Sequence, residues 1–269
     1  MGVGAVSTEA ATSVDGPRPL SGQWAVVTGG SKGIGRGIAH RLLAAGANVA
    51  IVARDKVAID ATVAELEAQA TEGEQVFGAA ADVSDRESIA QLFEELRVRL
   101  PSLNIFVANA GTGHVTPFLE LSTAEWDSVV ALNLTGTGYA CQQAALMMRD
   151  IPTENASIIV VSSIRALGAR AGRLVYAATK AGVNQLVRVA ALDLAPYGIR
   201  VNALSPGITE TPLTAANPSA FAEAEAMVPL GRAGQPEDLA EAAFFLAGPQ
   251  SSFVTGINLI VDGGESLVS

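Results

Sequence analysis

Tyrosine and lysine are scarce here, three of each among 269 residues, yet "VYAATK" at 175–180 sets Tyr176 and Lys180 four apart. On a helix, positions i and i+4 share one face, a turn apart. Either the pairing is chance, since Y-x-x-x-K occurs in many helices, or a phenol is kept beside a cation for proton chemistry. A free phenol, with a pKa near 10, exchanges its proton poorly at neutral pH, and a neighbouring cation favours the phenolate.

A second stretch suits phosphate. "VVTGGSKGIGRGIAH" runs from an apolar pentapeptide straight into a helical pattern. Gly29, Gly33 and Gly35 let the backbone turn tightly and come close to a pyrophosphate. A helix beginning near Ile34 then offers unpaired N–H groups and the positive end of its dipole. The pattern T-G-x-x-x-G-x-G has one residue more between its first two glycines than the commoner dinucleotide fingerprint. Where NAD sites carry an acid for the ribose 2′-hydroxyl, at the end of the second strand, this chain has Ala53 followed by Arg54. An arginine there grips a 2′-phosphate with two prongs, and Lys32 in the glycine loop adds a second cation on the same side. These residues favour NADPH over NAD. Asp55 next door pulls the other way, and a strand-capping role for Arg54 is the plainer alternative.

The elements that must position these residues follow from hydrophobic patterning. Apolar runs at 24–28, 49–53, 76–80, 105–110, 157–163, 200–205 and 257–261 have strand length and scarcely alternate, as parallel strands covered on both faces require. Between them lie helical patterns. Ser84–Glu87 and Ser122–Glu125 fit capping boxes, and Gly46 stands where a helix would stop. The expected fold is α/β: one Rossmann-type, doubly wound domain with a seven-stranded parallel sheet flanked by helices on both faces. Residues 1–20, small and polar, read as a flexible extension. Residues 21–269 form the domain, with 207–230 as a substrate-covering loop.

Composition narrows the function classes. Net charge is −10 and the pI about 4.7, which argues against a nucleic-acid partner. No uninterrupted apolar run reaches the 18 or more residues of a membrane span, and the N-terminus lacks the pattern of a secretory signal. The single cysteine, Cys141, forms no internal disulfide and suits a reducing cytoplasm; it reads as a buried helix residue. No His/Cys/Asp/Glu cluster has metal-ligand spacing, so no metal is expected.

Taken together, the motifs resemble the short-chain dehydrogenase/reductase family from about Leu20 to Gly264. They run in order: "TGGSKGIG" (28–35), "ADV" (81–83), "NAG" (109–111), "LNLTG" (132–136), "SS" (162–163), "YAATK" (176–180), "SPG" (205–207) and "VDGG" (261–264). The resemblance implies that Tyr176 is the general acid that protonates a carbonyl oxygen during hydride transfer. Lys180 lowers the tyrosine's pKa and binds the nicotinamide ribose. Ser163, thirteen residues before Tyr176, holds the substrate oxygen, and Asn133 keeps a water in a proton relay to the lysine.

The cofactor contacts it implies are Gly29, Ser31, Lys32, Gly33, Ile34, Gly35 and Arg54, with Asp82 and Val83 flanking the adenine. Asn109, Ala110 and Gly111 pass beneath the adenosine ribose, while Pro206, Gly207, Thr209 and Thr211 meet the nicotinamide amide and phosphates. Two positions depart from the family pattern. Ala108 stands for the first asparagine of N-N-A-G, and Thr209 stands where isoleucine is usual, at a contact made by backbone.

On the substrate side, Arg165, Arg170 and Arg173 cluster between Ser163 and Tyr176. They either meet an anionic substrate, such as an acyl thioester or carboxylate, or are solvated or paired with acids across a subunit interface. His114 is a further candidate to line the pocket. The closing segment resembles 3-oxoacyl-carrier-protein reductases, an ending shared with sugar, steroid and alcohol dehydrogenases. The resemblance also implies a homotetramer, with Phe244, Phe245 and Leu246 either at an interface or in the core.

Overall fold

A computed structural model of the protein describes residues 18–71, 73–216 and 218–268. Most of the expected flexible extension, residues 1–17, lies outside the described residues. Its last part belongs to the domain instead: Leu20 is fully buried and donates its N–H to Ala45 O.

The seven strands are β1 (Trp24–Thr28), β2 (Asn48–Ala53), β3 (Val76–Ala80), β4 (Ile105–Ala108), β5 (Ser157–Val161), β6 (Arg200–Pro206) and β7 (Asn258–Val261). All neighbours pair parallel in the order β3-β2-β1-β4-β5-β6-β7. β4 and β5 end two residues earlier than the apolar runs suggest, so Asn109, Ala110, Ser162 and Ser163 stand just past the carboxyl ends of their strands.

Alternate residues of each strand enter two separate cores, which explains why the runs do not alternate in polarity. Trp24, Val26, Phe106, Ala108, Ile158 and Val160 face one side, covered by α3 (Arg86–Arg99), α5 (Thr137–Asp150) and α6 (Leu174–Leu194). Ala25, Val27, Ile105, Val107, Ile159 and Val161 face the other, covered by α1 (Gly33–Ala44), α2 (Lys56–Gln69) and α9 (Pro236–Ala247). Leu246 joins this second core. Phe244 lies under the Arg41 guanidinium, and Phe245 remains partly exposed.

Local capping follows the sequence with one correction. Asp85, not Ser84, caps α3 by accepting from Glu87 N, and the Ser84 hydroxyl donates to Asp82 instead. α4 (Thr123–Val130) is capped by Ser122 as expected, but the Glu125 carboxylate accepts from Thr116 Oγ1 rather than closing a box. Within 207–230 the chain forms two short helices, α7 (Pro212–Ala215) and α8 (Pro218–Glu225). Among the described residues no helix is long and apolar enough to cross a membrane.

Between α4 and α5 the helix widens into a π turn, Ala131–Gly136, which carries Asn133. Such bulges commonly mark functional positions. This one presses against the loop after β3: a Cβ added at Gly136 would lie 1.8 Å from Val83 O. In an ordinary exposed helix, glycine to alanine gains about 1 kcal/mol. Gly136→Ala is expected to reverse that sign, destabilising the fold by about 2–3 kcal/mol or more in urea denaturation through overpacking. A stabilised variant would show that the contact yields.

Candidate active site

The order of strands reverses between β1 and β4, and the loops leaving their carboxyl ends diverge to open a crevice. Thr28 joins the two. Its hydroxyl donates to Val107 O at 3.3 Å and accepts the N–H groups of Asn109 (3.0 Å) and Ala110 (3.1 Å). Asn109 returns the tie by donating to Thr28 O and Gly29 O. Gly29 has φ +65°, and a Cβ at Gly35 would come within 2.4 Å of Gly29 O. The loop is thus wound tightly enough to leave a cradle. α1 begins with Lys32 at its N-cap and no side chain bonded to its first N–H groups, so those donors are open to an anion. Among the described residues no group of three His, Cys, Asp or Glu could hold a metal.

Beside this loop lies a cavity of about 510 Å³ lined by Ser31, Lys32, Arg54, Asp82, Val83 and Gly111, among others. Arg54 is largely exposed and stands 3.8 Å from Asp82. Burial alone would raise the Asp82 pKa. The hydroxyl and N–H of Ser84, aided by Arg54, outweigh it and hold the carboxyl below its usual range. Asp55 also lines the cavity, but its carboxylate caps α2, accepting from Val57 N and Ala58 N. The strap after β6 closes over the α1 terminus, where a Cβ on Gly33 would sit 3.3 Å from Thr211. Pro206 and Gly207 lead into this strap. Within it, the Thr209 hydroxyl is committed to Gly207 O and Thr214 Oγ1 donates to Thr209 O, leaving Thr209 only backbone to offer.

On the other side of β4 the loop Asn109–Gly113 runs between the π turn and α6. The Asn133 side chain is fully buried, accepting from Thr112 N at 2.9 Å and donating to Thr112 O at 2.7 Å. Its amide is therefore spent on holding the loop. A Cβ on Gly111 would lie 3.5 Å from Lys180 Nζ, and one on Gly113 only 2.9 Å from the Tyr176 ring. Ser163, at the end of β5, faces the Tyr176 phenol, and its Oγ accepts from Arg165 N.

The electrostatics differ from the sequence expectation. Burial pushes the Tyr176 phenol up, and Ser163, Arg173 and Arg165 pull it part of the way back. Lys180 lies one turn further along α6. Its ammonium donates to Val161 O at 2.8 Å and lies 5.8 Å from the Tyr176 ring centre. Burial brings Lys180 itself down to about 8. The Cys141 thiol, wholly buried, is pushed up to about 12, in keeping with a structural residue.

The arginines part company. Arg165 pairs with the buried Glu265 of its own chain. Arg173 is half-buried, its Nη1 donating to His114 O while the guanidinium lies 6.0 Å from the Tyr176 ring centre. The His114 side chain is exposed. Glu265 escaped the sequence reading, whose only signal was an acid directly after "VDGG". The joining role of Thr28 also went unremarked, although it opens the glycine motif.

A family profile described as Enoyl-(Acyl carrier protein) reductase matches residues 29–266. The chain is 39% identical over 254 residues to 3beta-hydroxysteroid dehydrogenase 1 of Eggerthella lenta, covering 92% of this chain and 95% of that protein. It is 38% identical over 246 residues to the 3-oxoacyl-acyl-carrier-protein reductase FabG of Chlamydia pneumoniae, covering 91% and 97%. A short-chain type dehydrogenase/reductase crystal structure from Mycobacterium marinum superposes with a TM-score of 0.87 at 32% identity, over 94% of this chain and 99% of that one.

The Lys180 shift has a stability consequence with a definite sign. Below about pH 8 the lysine is charged in both the folded and unfolded chain, and burying that charge costs stability. From about 8 up to the ordinary 10.5 the folded form sheds its proton first, so stability contributed by this residue rises with pH. In urea denaturation, wild type is expected to gain on Lys180→Met across that window, on the order of 3 kcal/mol in all. A pH-independent difference would mean that Lys180 keeps its ordinary pKa.

Proposed function

Because the chain belongs to the short-chain dehydrogenase/reductase family, whose members act on CH–OH and C=O groups, we propose that it interconverts a ketone and a secondary alcohol with NADP(H), Tyr176 moving the proton. The convergence of Tyr176, Ser163 and Lys180 beside Gly111–Gly113, at the mouth of the crevice, carries this reading. Bound NADPH supplies the hydride. Ser163 holds the carbonyl oxygen by a hydrogen bond that strengthens as negative charge develops there. Tyr176, kept protonated at neutral pH by burial, delivers its proton to that oxygen. Lys180 holds the nicotinamide ribose, and Asn133 fixes the loop against which both groups sit.

Preference for NADPH rests on Arg54 and Lys32 beside a cavity whose neighbouring acid, Asp55, is occupied as a helix cap. A 2′-phosphate there meets two cations, while the Asp55 carboxylate is already satisfied by two N–H groups. Arg54→Ala is expected to weaken NADPH binding roughly tenfold, about 1.4 kcal/mol, while NADH binding changes little. Equal losses for both would remove the preference.

For the substrate we favour a 3-oxoacyl thioester, met at its anionic part by Arg170, since Arg165 and Arg173 are engaged elsewhere. The exposed apolar side chains Val115, Leu167 and Leu174 around the same loop favour a hydrophobic alcohol or steroid as the second reading. The likeness to hydroxysteroid and 3-oxoacyl enzymes supports each in turn. A homotetramer in a reducing cytoplasm fits this reading, with exposed Phe253 and Ile260 on and beside the edge strand β7 available for subunit contact.

The direct experiment is NADPH oxidation with acetoacetyl-CoA. Turnover supports the thioester reading, and Arg170→Ala should then raise KM several-fold with kcat little changed. Intact NADPH binding without turnover shifts the assignment to alcohols, steroids or polyols. Tyr176→Phe should abolish turnover on any substrate and leave NADPH binding within about twofold; loss of nothing would mark a non-catalytic dinucleotide binder.

A further inference from the structure

The C-terminal turn gathers three segments that border the crevice on its Tyr176 side. Glu265 is 1% exposed, and its Oε1 receives the Arg165 guanidinium, whose side chain is itself only 10% exposed. Oε2 accepts the N–H of Ile208, in the strap after β6, at 2.7 Å. Arg165 in turn donates its backbone N–H to Ser163 Oγ at 3.1 Å. One residue before the turn tightens, Gly263 O accepts the N–H of Leu230, at the end of the substrate-covering segment. A buried ion pair adds little net stability over an apolar pair, but losing one member leaves an uncompensated charge. Stability alone therefore does not account for the pair.

We propose that Glu265 is a positioning residue: its single carboxylate ties the Ser163 turn, through Arg165, to the strap at Ile208, so that substrate oxygen and cofactor are held at one fixed spacing. The proposal rests on the roles given above to Ser163, Tyr176 and the strap. It extends them to a residue a hundred positions from Arg165 in sequence, whose two carboxylate oxygens are taken up by Arg165 and Ile208 N.

The pair also balances charge near the phenol. Around Tyr176 stand Lys180 on α6, Arg173 at its N-cap and Arg165 in the turn after β5, with Arg170 near Arg173. From the loop after β4 come only the Gly113 backbone and the His114 carbonyl, with His114 itself exposed. Among these described groups no carboxylate faces the phenol; Glu265 offsets the positive field only by pairing with Arg165.

The test uses the full chain and two readouts that need no turnover. The phenolate of Tyr176 is followed by ultraviolet difference absorbance against the matching Tyr176→Phe background, and NADPH affinity by fluorescence. Glu265→Gln, which keeps an acceptor for Ile208 but leaves Arg165 unbalanced, should titrate Tyr176 lower by roughly half a unit. Arg165→Met should move it the other way. Glu265→Ala, which also frees the strap, should weaken NADPH about fivefold or more, with Glu265→Asp recovering part of that. The neutral pair Arg165→Met/Glu265→Gln guards against misfolding and should titrate between the two single variants, close to wild type.

If the variants merely melt earlier, with the Tyr176 titration unmoved and NADPH affinity within twofold, Glu265 is structural only and the proposal is overturned. Failure of the broader functional reading would look different: wild type would bind NADPH and reduce no carbonyl, while these titrations would still decide the role of Glu265.

Discussion

The hydroxyl of Thr28 holds together the place where the sheet changes direction. Parallel strands β1 and β4 are neighbours in space but separated by two strands in sequence, and past their ends the ladder hydrogen bonds stop. Backbone N–H groups leaving a buried sheet need partners, or the ends fray. One oxygen supplies them, accepting from Asn109 and Ala110 while its proton goes to Val107 O. With that junction set, the glycine loop turns one way toward α1, and the Asn109–Gly113 loop turns the other way toward Lys180 and Tyr176. Both halves of the crevice take their positions from this contact.

Burial of charge is the second constraint. Lys180, Arg165, Glu265 and Arg200 are all largely removed from water. Neutral oxygens or a partner of opposite sign take over the lost hydration: Val161 O for Lys180, Glu265 for Arg165, Leu246 O and Ser251 Oγ for Arg200. The cost recurs as perturbed titration, visible in the depressed lysine and the elevated phenol. Such an interior keeps the phenol neutral and the dipoles around it fixed, which would suit a reaction whose charge is transient.

Much of this was legible in the chain. Strand positions followed from apolar runs because both faces of the sheet are covered, and the α1 terminus followed from glycine spacing. The pairing of Tyr176 with Lys180 was visible as a helical i, i+4 relation, yet its electrostatic sense was not. Spacing says that two groups share a face, whereas the direction of a pKa depends on depth of burial and on where an ammonium points. Arg165 shows the same limit from another side. As one of three arginines in a short loop it read as a substrate or solvent contact, and its partner lies near the other end of the chain, beyond the reach of any local pattern. The Ser84 cap failed for a smaller reason: α3 starts one residue later, at Arg86, which puts Asp85 in the capping position.

The π turn at Ala131–Gly136 bears on how the long helical run from Thr123 to Asp150 is phased. Each α-helical residue advances about 100° around the axis, so one extra residue in a turn rotates everything beyond it by that angle. The widened turn lets Asn133 point at the Thr112 loop while Ala140, Ala144 and Met148, further along, still meet the sheet. A chain with one residue fewer there would make a more regular helix and a mismatched one, with either the buried stripe or the asparagine facing the wrong way. Helical irregularity is thus the means by which one continuous element serves two surfaces whose angular demands differ.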